Sequence, residues 1–236
     1  MPTVSARSIA AAPAAVIGVL VLIVLAVTVD PLIGLVSAVL VAGIVLWLIV
    51  GRATVSALGA LGATPLPEGS EPRLESLVES VCASHGIAEP SLYVVGSSAI
   101  DAAVVGRSDD THLVVTRGML SELDRLELEA VIARELSMFG SGIQSATVLV
   151  SVAPWIGPFA ANLRARLLDD RRLVRADFDA VSVTRYPPAL AAALEKAGDA
   201  PRVEHSPRAD HLWMVGSGAT SVQPAVADRV DAIREL

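Results

Sequence analysis

Residues 126–140 read LELEAVIARELSMFG and predict the central helix of the fold. Apolar residues recur along this stretch at helical spacing. Asp124 is a good N-cap, and Glu127 three residues later suits a capping box. Glu135 falls on a face that it shares with apolar residues, so we expect its side chain to point partly inward. A carboxylate on an apolar face needs a partner or a function.

The composition excludes several classes of protein. The chain has 236 residues, a length that is enough for one domain plus a membrane part, and 53% of them are hydrophobic. The net charge of −7 and the lack of a dense basic patch argue against a nucleic-acid partner. The single cysteine, Cys82, excludes an internal disulfide and a cysteine-rich zinc site. Its place in a helical pattern predicts a small core residue.

Two almost uncharged apolar runs follow each other near the N-terminus. Residues 9–29 and 32–50 are each roughly 20 residues long, enough for a helix to cross the hydrocarbon core. A secretory signal peptide is the alternative for the first run, but a second run follows at once without a small-x-small cleavage site. We therefore predict a transmembrane hairpin within residues 1–52.

The charges that flank the hairpin predict its orientation. Arg7 precedes the two runs and Arg52 follows them, whereas the turn carries only Asp30. The positive-inside rule then predicts a multi-pass protein of the cell membrane. Both termini and the soluble domain would lie in the cytoplasm, with the lipid bilayer as a partner of the hairpin.

Small residues form a stripe at four-residue spacing in the second run, at Gly34, Ala38 and Ala42. Such a stripe lets two helix backbones approach closely, so it could seat the first helix against the second. A generic lipid-facing composition is the alternative.

The rest of the chain is predicted to consist of a linker, residues 53–72, and a soluble domain, residues 73–236. The linker prediction depends on the sequence TPLPEGSEP, which is rich in turn residues. The fold class that we predict is α+β and mostly α, with a small β-sheet in the domain. Periodicity predicts strands at 92–95 and 113–116 and helices at 73–85, 177–184 and 224–236, with a further helix that begins at Pro187.

Residues 143–163 form a third apolar stretch, interrupted by Pro154, Gly157 and Pro158. A single crossing here would place the two halves of the domain on opposite sides of the membrane. We therefore expect a bent, re-entrant or interfacial segment, or a buried helix pair. The basic residues within 164–175 suit either anionic lipid headgroups or a solvated helix face.

Several ordered blocks of the soluble part resemble the HtpX-like and CAAX-protease-like membrane zinc metallopeptidases, which are gluzincins. The two apolar runs fit this family too. SLYVVGSSAIDAAVVG (91–106) resembles the family's strand and its Asn-Ala-Phe segment, here Asp101-Ala102-Ala103. The other matching blocks are HLVVTRGMLSELDRLELEAVIARELSMF (112–139), RADFDAVSVTRYPPALAAALEKAG (175–198), HLWMVG (211–216) and QPAVADRVDAIREL (223–236).

The resemblance implies that this member of the family lacks the zinc ligands. In an H-E-x-x-H peptidase two histidines four residues apart bind zinc, and the Glu is the general base for the metal-bound water. These ligand positions fall on Arg134 and Met138, and the third, a glutamate in the family, falls on Leu173. Only Glu135, at the general-base position, and Asp177, at the position of a supporting aspartate, match. The resemblance therefore implies no metal cofactor and a Glu135 that keeps its position without its function.

Arg134 suggests what replaces the ion. Arginine cannot release a proton to bind a divalent metal, and the thioether of Met138 is a poor zinc ligand. Our hypothesis is that the Arg134 guanidinium lies near the zinc position and pairs with Glu135, Asp177 or both. An ordinary exposed arginine is the alternative. Ligand spacing is absent for the four histidines, His85, His112, His205 and His211.

Three functions remain open from the sequence. The first is a membrane-anchored homologue without peptidase activity that acts as a binding, regulatory or structural subunit. Its partner would be another membrane protein or an extended peptide held along an edge strand. The second is an active membrane metalloendopeptidase with an atypical zinc site. The third is a membrane-surface interaction module that depends on residues 164–175.

Overall fold

The structure is a computed structural model that describes residues 6–107, 109–138, 143–156, 170–204, 207–216 and 224–236. In the described parts, helices predominate and four short strands form one sheet. The elements in chain order are α1 (Ala6–Thr28), α2 (Pro31–Leu61), β1 (Thr64–Pro65), α3 (Pro72–His85), β2 (Ser91–Val95), β3 (Ala102–Arg107), β4 (Asp110–Thr116), α4 (Arg117–Glu122), α5 (Arg125–Ser137), α6 (Ile143–Ile156), α7 (Asp170–Thr184), α8 (Pro187–Asp199), a 3-10 helix (Pro207–Leu212) and α9 (Val226–Arg234).

Close backbone contact joins α1 to α2. A Cβ atom on Gly18 would lie 3.1 Å from the carbonyl oxygen of Ala38 and 3.1 Å from the Cβ of Ala42. A Cβ on Gly34 would lie 2.9 Å from the backbone nitrogen of Ala26. The predicted role of the small-residue stripe is thus confirmed, because only small side chains permit this approach.

Length and composition would allow both N-terminal helices to cross a membrane. The two candidate spans are Arg7–Thr28 and Pro31–Leu61. Most of their large apolar side chains, such as Leu20, Val39 and Trp47, are exposed. An exposed apolar surface of this extent suits a hydrocarbon environment better than water.

The second helix extends further than the sequence predicts. We predicted an end at residue 50 and a linker at 53–72, but α2 continues to Leu61 and ends at Gly62, which has φ of 67°. Ala53 and Ala57 on these last turns are buried. This part of the linker prediction is wrong because the last turns of α2 have a buried face against the rest of the protein. The two residues of β1 then pair with β2.

The sheet has the order β1-β2-β4-β3. β2 runs parallel to β4, and β3 runs antiparallel to β4. The two predicted strands are confirmed as parts of β2 and β4, whereas β3 was not predicted. Gly106 in β3 has φ of 117°, and a Cβ there would lie 2.1 Å from the carbonyl oxygen of Asp110, so the turn into β4 requires glycine.

Two hydrophobic cores lie on the two faces of the sheet. Along β4 the side chains of Leu113 and Val115 enter the first core, and Val114 enters the second, as the two-residue period of a strand requires. The first core is closed by α3, α5, α8 and α9. The second is closed by α6 together with the first turns of α1 and the last turns of α2. The predicted fold class, α+β and mostly α, is confirmed.

The helix α6 accounts for the described part of the third apolar stretch. Val148, Leu149 and Val150 are fully buried in the second core, against the hairpin and β3. A buried helix is therefore the alternative that fits residues 144–152. The rest of the predicted stretch, residues 157–163, lies outside the described residues, as do residues 164–169 of the basic segment.

Candidate functional site

The helix α5 places two adjacent charged residues of its last turn, Arg134 and Glu135, inside the protein. Asp124 accepts hydrogen bonds from the backbone nitrogens of Leu126 and Glu127, and the Glu127 carboxylate accepts one in return from the nitrogen of Asp124. The predicted capping box is thus confirmed. The fixed start sets the rotation of the helix, and both Arg134 and Glu135 have no exposed surface.

Arg134 pairs with both acids that the hypothesis named. Its Nη1 donates to Oε1 of Glu135, and its Nε donates to Oδ1 of Asp177 at 3.2 Å. Asp177 is equally buried and belongs to α7. The predicted ion pairs are present, and the alternative of an exposed arginine is wrong. A guanidinium suits this position because it stays charged when buried and has several donors.

A second arginine completes the cluster. Arg229 on α9 donates from Nε to Oδ2 of Asp177 at 2.7 Å and from Nη2 to Oδ1 at 2.8 Å. Its Nη1 donates to the carbonyl oxygen of Met214 at 2.9 Å. The sequence analysis missed Arg229. The only available signal was an arginine on the apolar side of the last helix, and that pattern does not name a partner 52 residues away.

The other two family ligand positions lie together in an apolar cluster. Met138 and Leu173 are buried with Val104 and Ala176. Arg134 lies one helical turn before Met138, and it pairs with Asp177, which lies one turn after Leu173. The three positions that the resemblance assigns to zinc ligands therefore converge. Met138 and Leu173 contact apolar side chains there, and the nearby carboxylates of Glu135 and Asp177 are paired with Arg134.

Burial dominates the protonation behaviour of the site. It raises the pKa of Glu135 to about 7, although Arg134 acts in the opposite direction. Burial alone would lower the pKa of Arg134. The adjacent Glu135 and Asp177 carboxylates outweigh this effect and leave the pKa of Arg134 raised. Nη2 of Arg134 and Oε2 of Glu135 have no hydrogen-bond partner in the described part of the chain.

Asp101 is a third buried carboxyl beside this cluster. It accepts hydrogen bonds from the backbone nitrogens of Ala102 at 2.9 Å, Val215 at 3.1 Å and Gly216 at 3.0 Å. Burial raises its pKa to about 6, against these hydrogen bonds and the charge of Arg134. The sequence analysis noted Asp101 only in the family's Asn-Ala-Phe segment and did not predict this role.

The described side chains at the three converging positions do not fit a zinc ion. The Arg134 guanidinium has no lone pair for a cation, and its donors already serve two carboxylates. Met138 and Leu173 pack against apolar neighbours. Among the residues that the structure describes, no group of three or more His, Cys, Asp and Glu side chains is arranged to hold a metal.

The histidines that the structure describes contact a backbone carbonyl or, for His112, a nearby carboxylate. His205 lies outside the described residues. The observed contacts are His85 Nδ1 with the Val81 oxygen at 2.9 Å, His112 Nε2 with Asp110 Oδ1 at 3.1 Å and His211 Nε2 with the Ala146 oxygen at 3.0 Å.

Comparison with known proteins shows which family the chain resembles. Residues 68–142 match the family model described as Peptidase family M48. Three curated relatives carry the name "Protease HtpX homolog". The one from Bacteroides fragilis is 27% identical, and the match covers 72% of this chain and 67% of the relative. Those from Dictyoglomus thermophilum and Tropheryma whipplei are each 29% identical, covering 70% and 74% of this chain and 69% and 76% of the relatives.

By these similarities the chain is HtpX-like and related to peptidase family M48. The suspected resemblance is thereby confirmed. Arg134, Glu135 and Met138 fall inside the range that matches the family, and Leu173 and Asp177 lie beyond it. No solved structure matches this chain.

Proposed function

We propose that this HtpX-like protein is a membrane-anchored pseudopeptidase that acts as a binding, regulatory or structural subunit in the membrane. The observation that carries the proposal is the pairing of Arg134 with Glu135 and Asp177 at the converging ligand positions. A fixed cation there takes over the electrostatic task of a metal ion, which is to hold inward carboxylates in place.

The chemistry of peptide hydrolysis supports this proposal. A metallopeptidase needs a bound water whose pKa the metal lowers, and a base that takes its proton. Arg134 can stabilise negative charge but cannot bind a water as a metal does. Glu135 is committed through Oε1 to Arg134, so it is not free to serve as the base with that atom.

The hairpin supports the membrane part of the proposal. α1 and α2 are long and apolar enough to cross a bilayer. Arg7 lies at the start of α1 and Arg52 lies after the apolar run of α2, which favours a multi-pass arrangement with both ends and the folded domain in the cytoplasm. The partner would then be the lipid bilayer together with another membrane protein.

The test measures metal and activity on the full chain purified in detergent. We expect no stoichiometric zinc by elemental analysis after incubation with zinc and dialysis, and no cleavage of casein. Glu135→Gln should leave both readouts unchanged. A triple variant, Arg134→His with Met138→His and Leu173→Glu, restores the family's ligand set and should bind about one zinc per chain, because three such ligands suffice for a catalytic site. About one equivalent of zinc in the wild-type chain, with cleavage lost in Glu135→Gln, would overturn the proposal.

One observation favours the second candidate, an active metalloendopeptidase with an atypical site. Glu135 keeps the general-base position, burial raises its pKa to about 7, and its Oε2 has no partner in the described residues. A pKa near neutrality suits a general base. The same zinc and cleavage measurements discriminate between the two candidates. The third, a membrane-surface module, remains a prediction because residues 164–169 lie outside the described part of the chain.

A further inference from the structure

The strand β3 lies at one edge of the sheet, where a further strand could add. Its neighbour on one side is β4. On its outer side it meets a short segment, Trp213–Gly216, which we call the strap. Ala103 forms an antiparallel bridge with Trp213, and the nitrogen of Met214 donates to the carbonyl oxygen of Ala102 at 2.8 Å. The strap therefore occupies backbone hydrogen-bonding groups on the outer edge of β3 that a bound peptide strand would use.

The carboxylate of Asp101 holds the far end of the strap. Its two oxygens accept hydrogen bonds from the backbone nitrogens of Val215 and Gly216. Gly216 has φ of 65°, and a Cβ there would lie 3.1 Å from the carbonyl oxygen of Asp210. Asp101 itself is 3% exposed, so these hydrogen bonds are shielded from water.

Arg229 holds the strap from the other side. Its Nη1 donates to the Met214 oxygen, and its remaining donors bind Asp177, which also pairs with Arg134. The charged cluster at the family's ligand positions therefore continues to the strap without a break. Trp213 is fully buried in the second core and Met214 in the first, so the strap also joins the two cores.

The helix α6 closes the other end of β3. The nitrogen of Gly106 donates to Oγ1 of Thr147 on α6 at 3.1 Å. All β3 residues from Ala102 to Gly106 are buried. Both ends of the outer edge are thus covered by the chain itself.

We propose that the strap and α6 act as a built-in substitute for an extended peptide on the outer edge of β3, so that this edge accepts no partner strand in the native protein. The inference goes beyond the pseudopeptidase proposal, because it holds with or without zinc. It also narrows that proposal. An extended peptide is excluded as the partner of this edge, and the partner must be recognised through another surface.

The test uses hydrogen exchange on the full chain in detergent micelles, followed by mass spectrometry. In the wild-type chain, peptides that cover the strap should exchange more slowly than an unstructured chain by about a hundredfold or more, as for other buried hydrogen-bonded amides. Asp101→Asn places an amide NH₂ group opposite a strap N–H and should accelerate this exchange about tenfold. The matched control is Asp124→Asn, because Asp124 also accepts two backbone hydrogen bonds but lies at the start of α5. It should leave strap exchange unchanged.

A binding measurement provides the second readout. The probe is a labelled synthetic peptide with the sequence of residues 211–216, HLWMVG, which matches the edge by construction. We expect no saturable binding to the wild-type chain. Saturable binding to it, or strap exchange at the rate of an unstructured chain, would overturn the inference. The two measurements on the wild-type chain test the inference even if Asp101→Asn does not fold. Thr147→Val tests the α6 end of β3, and it should accelerate exchange at Gly106 alone.

Discussion

At the residue scale, the protein holds two guanidinium groups and three carboxyl groups almost entirely away from water. Arg134, Arg229, Glu135, Asp177 and Asp101 are each at most 3% exposed. A buried charge is costly unless it is paired and hydrogen-bonded, and a single partner rarely suffices. Asp177 meets this requirement by accepting from both arginines. The cluster therefore depends on every member.

Replacement of Arg134 should destabilise the protein strongly. Arg134→Met leaves Glu135 without its cation and removes one of the donors to Asp177, and the loss of one partner of a buried ion pair costs about 3–5 kcal/mol. The matched control is Arg125→Met, an exposed arginine on the same helix, which should cost less than about 0.5 kcal/mol. Chemical denaturation in detergent, followed by circular dichroism, measures both. Equal stability of the two variants would contradict the role that we assign to Arg134.

Protonation of the buried acids should make stability depend on pH. Burial raises the pKa of Glu135 to about 7 and that of Asp101 to about 6, and both groups titrate near pH 4 in an unfolded chain. The folded protein therefore binds more protons between about pH 4 and pH 7, and its free energy of unfolding falls as pH rises through this window, by up to about 1.4 kcal/mol per pH unit for each group.

Glu135→Gln should reduce this slope, because glutamine does not titrate. Glu129→Gln, a partly exposed site on the same helix, is the control and should keep the wild-type slope. Thermal unfolding midpoints at pH 4.5, 5.5, 6.5 and 7.5 provide the comparison. A wild-type stability that rises across this range would refute the assignment of raised pKa values.

At the element scale, the hairpin depends on two glycines at the crossing of α1 and α2. The Cβ of any other residue at Gly34 would lie 2.9 Å from the Ala26 nitrogen, whereas Gly43 has no heavy atom within 4 Å of such a Cβ. In a membrane, close packing replaces the hydrophobic effect as the main force between helices. Gly34 and Gly43 are therefore the same residue type in the same helix, but only Gly34 lacks space for a side chain.

Gly34→Leu should weaken the hairpin by about 1–3 kcal/mol, the usual cost of overpacking. Gly43→Leu carries the same change of side chain and should be tolerated. Both variants can be compared by thermal unfolding of the full chain in the same detergent. If Gly43→Leu proves as damaging as Gly34→Leu, the contact between α1 and α2 is not the one described.

At the scale of the whole molecule, α2 connects the hairpin to the folded domain without a flexible joint. A helix of 31 residues is about 46 Å long, and the hydrocarbon core is about 30 Å thick. If α2 crosses a bilayer, its last turns would project beyond the hydrocarbon core. Ala53, Ala57 and Leu61 on these turns belong to the second core. In that arrangement the folded domain would be held against the membrane surface.

Removal of the hairpin should leave an incomplete domain. A chain that begins at Thr64 lacks α2 and so uncovers Val105, Val148 and Leu149 of the second core. Such an apolar surface promotes aggregation, so we expect the truncated chain to elute in the void volume in size-exclusion chromatography. A monomeric, cooperatively folding product would instead support a division of the chain near residue 73.

Local sequence determined the elements whose signals lie within a few residues. The capping box at Asp124 and Glu127, the two apolar runs and the start of α8 at Pro187 are set by side chains that contact their own helix or by composition alone. The pairing of Arg134 with Glu135 and Asp177 was predictable from the family resemblance rather than from local sequence. A cation and two acids at positions that the family brings together leave few other arrangements.

Only the tertiary structure decided what depends on partners far apart in the chain. The strand β3, the burial of α6 and the extension of α2 exist because the second core closes around them. Arg229 joins Asp177 across 52 residues, and Asp101 joins the strap across more than 100. Such contacts have no local periodicity, because the free energy that fixes them comes from burial and hydrogen bonding between elements, which no short stretch of sequence contains.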